Sequence, residues 1–226
     1  MAENVAVQIA NIALNNLGDK IISAFSDKTA QAFATKDRLK DVINSVLRAH
    51  PWNCMTKRDA LTKLGTTPKY QFDYAYSLPA DSLRVLSLKE EVDYDYAWKI
   101  EIINHDKQDQ LALLTNATSA NIQYVKKYSG NQVHDSDNNT LTLFDPLLIQ
   151  ACGMALAGEI AMDLTGQSQL RDLMLGKYQT LLSEARSING QEGTADKIES
   201  NEWIESRTKS SSGWFKPFSA STASGV

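Results

Sequence analysis

The side chains best able to do chemistry in this 226-residue chain are three histidines, two cysteines and a few clustered carboxylates. His50, His105 and His134 fall in different stretches, and none has a second ligand-type residue at a spacing that would put both on one metal ion. Cys54 and Cys152 are far apart, with no CxxC spacing and no histidine-rich tract nearby. Neither a disulfide framework nor a structural zinc site is expected from them, and a reducing compartment fits best. Gly153 and Gly158 have the glycine spacing of a phosphate-cradling loop, but Glu159 and Ile160 stand where a lysine and a hydroxyl are required. Asp135, Asp137 and Asn139 mimic the opening of a calcium loop, yet Thr140 replaces its glycine and Pro146 its final bidentate glutamate. The run Glu90, Glu91, Asp93, Asp95 would put alternate carboxylates on one face of a strand. Lying between two strand candidates, it reads as a solvated hairpin tip. No serine, cysteine or threonine has a base partner in its sequence context, although such partners can be distant in the chain. The expectation is therefore no catalytic, cofactor-binding or metal-binding residue and no enzyme activity. An enzyme with a scattered, unrecognised catalytic site is the alternative, and a free nucleic-acid-binding regulator is a third reading.

The elements that would position these groups change character along the chain. Val5, Ile9, Ile12, Ala13 and Leu17 share one helical face between a capping Asn4 and a terminating Gly18. Ala30, Phe33, Ala34, Val42, Ile43, Val46 and Leu47 predict a second helix from Thr29 to Ala49, ended by Pro51, which biases His50 away from helical geometry. At Tyr70 the period becomes two: Tyr70, Phe72, Tyr74, Tyr76 and Leu78 alternate with smaller or polar residues. Further strands are predicted at 83–88, 97–103, 110–114, 122–128 and 141–143, separated by turn residues. Asp145-Pro146 opens a third helix to about Thr165, and a fourth runs from Ser168 to about Ile188 with Gly190 as its stop. The fold class expected is α+β: a mainly helical bundle from 1–64 and 145–190, a small antiparallel β-rich insertion at 65–144, and an extended C-terminal arm at 191–226.

Composition narrows the function classes. Twenty-three basic against 27 acidic side chains give a net charge of −4, which argues against a dedicated nucleic-acid binder. The first residues, Met1 to Asn4, carry an acid and no basic cluster, so a secretory signal is not expected. The least polar stretch, 147–161, is interrupted by Gln150 and Glu159 and is shorter than the roughly 20 apolar residues of a spanning helix, so a buried core helix and no membrane are expected. The serine- and glycine-rich arm cannot build its own core, yet it holds Trp203, Trp214, Phe215 and Phe218. Disordered segments are poor in such residues, and they are the types that anchor interfaces, so these four are the candidate partner-binding residues.

Several pieces stand in a specific order. Leu17-Gly18 is followed by the connector Ile21-Ile22-Ser23-Ala24-Phe25-Ser26-Asp27, then by Leu47-Arg48-Ala49-His50-Pro51-Trp52-Asn53 and Thr56-Lys57-Arg58-Asp59-Ala60-Leu61. Next come Tyr76-Ser77-Leu78-Pro79-Ala80-Asp81-Ser82-Leu83-Arg84-Val85, the helix starter Phe144-Asp145-Pro146, and Tyr178 to Arg186 ahead of Gly190-Gln191-Glu192. Over roughly residues 1–192 this order resembles the tail tubular protein A family, the head-to-tail adaptors under the portal of short-tailed bacteriophages. It departs at Cys54-Met55, where Phe-Ala is expected, and the arm after Glu192 aligns with nothing in the family. The resemblance implies a structural virion protein forming a dodecameric homo-oligomeric ring, bound to the portal protein above and the tail nozzle protein below. Genome DNA would pass through its lumen without sequence-specific binding, and the protein would be assembled in the host cytoplasm. Within the matched segments, Trp52 reads as a core anchor and Pro79-Ala80-Asp81 as a turn with Asp81 bonding local backbone. Arg84 reads either as a partner-facing charge or as half of an intramolecular salt bridge.

Overall fold

Four helices and two small antiparallel sheets make up the α+β fold of the computed structural model, which describes residues 4–89, 96–130 and 141–192. The helices form where the sequence supplies both a periodic apolar face and a cap. Helix α1 (Val5–Leu17) starts with the Asn4 side chain accepting from the Ala6 N–H and ends at Gly18, whose φ of 74° is the left-handed conformation glycine adopts without strain. Helix α2 (Ala30–Ala49) is capped by Thr29. The connector between them is held by Asn11, whose amide donates to the Ile22 carbonyl and accepts from the Ile22 N–H, while the Asp27 carboxylate accepts from the Ser23 and Ala24 N–H groups. Helix α3 (Pro146–Thr165) begins at Asp145, which accepts from the Leu147 N–H at 2.8 Å, and ends at Gly166. Helix α4 (Ser168–Gln191) runs straight through Gly190, so the expected stop there is not used.

Seven strands lie between α2 and α3: β1 (Thr56–Ala60), β2 (Thr62–Lys63), β3 (Tyr74–Ser77), β4 (Ser82–Lys89), β5 (Trp98–His105), β6 (Gln108–Thr115) and β7 (Asn121–Lys126). One sheet has the order β1-β7-β4 and the other β2-β3-β6-β5. Three expectations are corrected. Strands begin at Thr56, inside the 1–64 stretch assigned to the helices. The strand expected from Tyr70 starts only at Tyr74, because Gln71 takes a left-handed φ of 71° and turns the chain. Residues 141–143 are not a strand: Leu141 is helical and 142–143 turn towards α3, with the Phe144 N–H bonding the Leu141 carbonyl.

The layers follow from which face each residue presents. Val125 of β7 joins the helical core with Leu39, Ile43, Leu47, Trp52, Leu148 and Leu156, while its neighbours Ile122 and Tyr124 pack with Tyr76 and Leu113 of the other sheet. The β1-β7-β4 sheet thus lies between the helices and the second sheet. In its pairing with β7, strand β4 shifts register between Ser82 and Arg84 and between Val85 and Ser87. These let Leu83 and Leu86 face the helices while Val85 and Leu88 face the second sheet. Helix α3 is long and apolar enough to cross a membrane by length and composition, but Leu148, Cys152, Leu156 and Ile160 are fully buried in the helical core.

Candidate interaction site

The segment His50-Pro51-Trp52-Asn53 lies where α2 ends, and it is built as a joint. Pro51 forbids helical geometry at His50, which is extended at φ −149° and ψ 147°. With no glycine to close the helix, the last carbonyls must find other donors. The indole N–H of Trp52 donates to the Val46 carbonyl at 3.1 Å, an Arg84 guanidinium N–H to the Arg48 carbonyl at 3.4 Å and an Arg186 guanidinium N–H to the Ala49 carbonyl at 3.3 Å. Arg48 in turn donates to the Leu83 carbonyl at 2.9 Å, so α2 and β4 are tied in both directions. Trp52 is 2% exposed and meets the His50 ring edge-on at 4.8 Å. Asn53 closes the joint against α4: its N–H donates to the Asn189 side chain at 3.1 Å, and its amide donates to the Asn189 carbonyl at 3.0 Å. The Asn189 amide nitrogen lies 3.1 Å from the His50 ring Nε2.

Electrostatics at the joint differ from side to side: His50 faces arginines, whereas Cys54 feels the Asp145 and Glu192 carboxylates. Burial lowers the pKa of His50, and the nearby Arg186 and Arg84 charges lower it further, so the ring is held neutral at neutral pH. The sulfur chemistry is muted by the same physics. Burial pushes the Cys54 thiol up to about 11, and it raises the fully buried Cys152 as well, so neither supplies a thiolate nucleophile.

The other residues singled out by chemistry are not brought together. His105 sits in the distal part of the second sheet, its Nδ1 2.8 Å from the Thr66 hydroxyl and its Nε2 3.4 Å from the Asp106 carboxylate. Gly153 and Gly158 are contact points inside the helical core, against Ile12 and Leu175. Asp81 does not bond local backbone; its carboxylate accepts from the Tyr124 hydroxyl at 3.0 Å, across to β7. The turn before it is as expected, with the Ser82 N–H on the Pro79 carbonyl. Arg84 forms no salt bridge with any described carboxylate. His134, the Glu90 to Asp95 run, the Asp135 to Asn139 loop and the candidate anchors Trp203, Trp214, Phe215 and Phe218 lie outside the described residues. Among the described residues, no group of three or more His, Cys, Asp or Glu side chains is placed to hold a metal ion.

Two features had no sequence signal. Arg186 and Asn189 reach the joint across 137 and 136 residues of chain, and nothing local in either segment names its partner. The second is a protruding ribbon. Strand β3 pairs β6 only from Ala112 to Thr115, so the far half of β6 is held by β5 alone. Ile102 and Leu111 face each other there at 70% and 58% exposure. Behind the ribbon is an open cleft of about 420 Å³, lined by Thr66, Lys69, Phe72, Glu101 and Asp109 among others. Its carboxylates are engaged, Glu101 with Lys99 and Asp109 with Asn104. Among the described residues, the arrangement offers surfaces for contact and no aligned nucleophile and base.

No family model matches the chain, and no curated protein matches it.

Proposed function

We propose that the chain is a structural head-to-tail adaptor of the tail tubular protein A type. It assembles as a ring on the portal of a short-tailed phage, above the tail nozzle, and lets genome DNA through its lumen. The observation that carries this reading is the convergence of the matched segments. His50 to Asn53, Leu83-Arg84 and the end of α4 lie far apart in the sequence, yet they bond one another at a single joint. A shared order of motifs that builds one mechanical junction is what a scaffold needs, whereas catalysis needs a reactive pair. The protonated thiols and the neutral, hydrogen-bonded His50 support the same side of that choice. A net charge of −4 suits a conduit, because each added Lys or Arg would strengthen sequence-independent grip on the passing phosphates. In this reading Trp203, Trp214, Phe215 and Phe218 anchor the arm on a neighbouring subunit or on the portal.

A ring closes by repeating one unlike pair of surfaces around an axis. Electron microscopy of the purified chain mixed with portal rings should therefore show an added, rotationally symmetric layer on one end of the portal. Separate species at both low and moderate salt would count against the adaptor reading.

A further inference from the structure

Three guanidinium groups meet at the end of α2, and none of them forms an ion pair with a described carboxylate; the carboxylate at the joint, that of Glu192, accepts from the Asn53 amide at 3.4 Å. Arg84 and Arg186 bond the consecutive carbonyls of Arg48 and Ala49, and Arg48 bonds Leu83, the residue beside Arg84. The cations that do have ion partners are elsewhere, in Arg38 with Asp163, Lys57 with Asp59 and Lys99 with Glu101. Asp81, the carboxylate nearest to Arg84 in sequence, is occupied by the Tyr124 hydroxyl. Each guanidinium has five N–H donors and each makes one hydrogen bond here, so most of the donor capacity is left over. The Nε of Arg186 is buried with no acceptor. Arg48 and Arg84 are exposed and accessible.

Helix capping alone accounts for part of this arrangement. A helix C-terminus carries about half a negative charge and welcomes one cation. Three full positive charges exceed it, and unbalanced like charges at one spot destabilise the free protein. A bound anionic group would reverse that cost, and the planar guanidinium fork matches a carboxylate bidentately. We infer that Arg48, Arg84 and Arg186 form a docking surface for an acidic segment of a protein partner, one that presents Asp or Glu carboxylates to the end of α2. A nucleic acid is the lesser candidate, because the chain as a whole is negative and three cations at one point do not track a phosphate backbone. The inference does not rest on the adaptor reading, since any partner with an exposed acidic segment would fit.

The test uses the full chain and hexaglutamate peptide as probe, with hexaglutamine and a 12-base-pair DNA duplex as comparators. Binding is read by calorimetry at low salt and by the imidazole resonances of His50, which lies beside Arg186 and Arg84. Hexaglutamate should bind and move the His50 resonances, and hexaglutamine should do neither. Affinity should fall at least tenfold in Arg84→Gln and in Arg48→Gln, and it should recover in part in Arg84→Lys. The exposed Arg48→Gln variant keeps the experiment decisive if Arg84→Gln melts early. Equal binding by wild type and both glutamine variants, no movement of His50, or tighter binding of the duplex than of the peptide would each overturn the proposal.

Discussion

Trp52 shows how one side chain sets a direction for the chain. Its ring fills the core beneath the end of α2, and its N–H donates to the Val46 carbonyl in the last turn of that helix. Replacing it with alanine removes the packing and the indole hydrogen bond to Val46, so Trp52→Ala should cost about 3–5 kcal/mol in urea unfolding. A loss below about 1 kcal/mol would mean that the joint closes without it. This role was legible in the sequence, because a large apolar residue after a proline at a helix end has few other uses. Arg84 was only half legible: the sequence shows a charge in a strand, but whether a carboxylate stands opposite depends on residues brought from elsewhere. Asn189 was not legible, because an asparagine near the end of a polar helix face carries no mark of a partner 136 residues away.

At the scale of elements, the sequence spoke most clearly where cap and periodicity agreed. All four helices started where Asn4, Thr29, Asp145 and the Ser168 stretch indicated. The strands were harder. β1 reads Thr-Lys-Arg-Asp-Ala, is almost wholly exposed, and exists because β7 offers it a hydrogen-bonding edge. Tyr70 and Phe72 keep the alternation of a strand but lie in the bend at Gln71, where Phe72 is buried and Tyr70 is 78% exposed. The small residues of α3 are points of close approach, and Gly153 tests this directly. A Cβ there would lie 2.5 Å from Ile12 Cγ2 and 2.9 Å from its Cβ, near the α1 backbone. Overpacking of about 1–3 kcal/mol should outweigh the helix-propensity gain of about 1 kcal/mol, so Gly153→Ala should lower the urea midpoint. Gly158→Ala, which meets the mobile end of Leu175, should be close to neutral in the same assay. Equal midpoints for Gly153→Ala and wild type would show that α1 and α3 yield easily.

For the whole molecule, the question is what binds the helices to the sheets. Asn44 of α2 is one answer, for its amide donates to the Tyr128 carbonyl at 3.0 Å and accepts from the Tyr128 N–H at 2.9 Å. Asn44→Ala removes both of these partly buried hydrogen bonds, which should destabilise the protein by about 1–3 kcal/mol. Hydrogen exchange should then be faster in β7 and α2 together; faster exchange in α2 alone would show that the sheet is held by other contacts. The alternation of helices, strands and helices was visible from the change of period, whereas the three-layer stacking was not. Layer order depends on which face of β7 meets the helices, and a strand buried on both faces does not declare it.

The packing of Ile12 against Gly153 also sets a timetable. About 140 residues separate the two, and a ribosome adding about 5–20 residues per second needs on the order of ten seconds to supply the second after the first. During that interval Ile9, Ala13 and Leu14, all fully buried in the finished fold, have no α3 to cover them. Helix α1, made well before α3, is thus secured late, and the nascent chain carries an uncovered apolar stripe in the meantime that invites a chaperone.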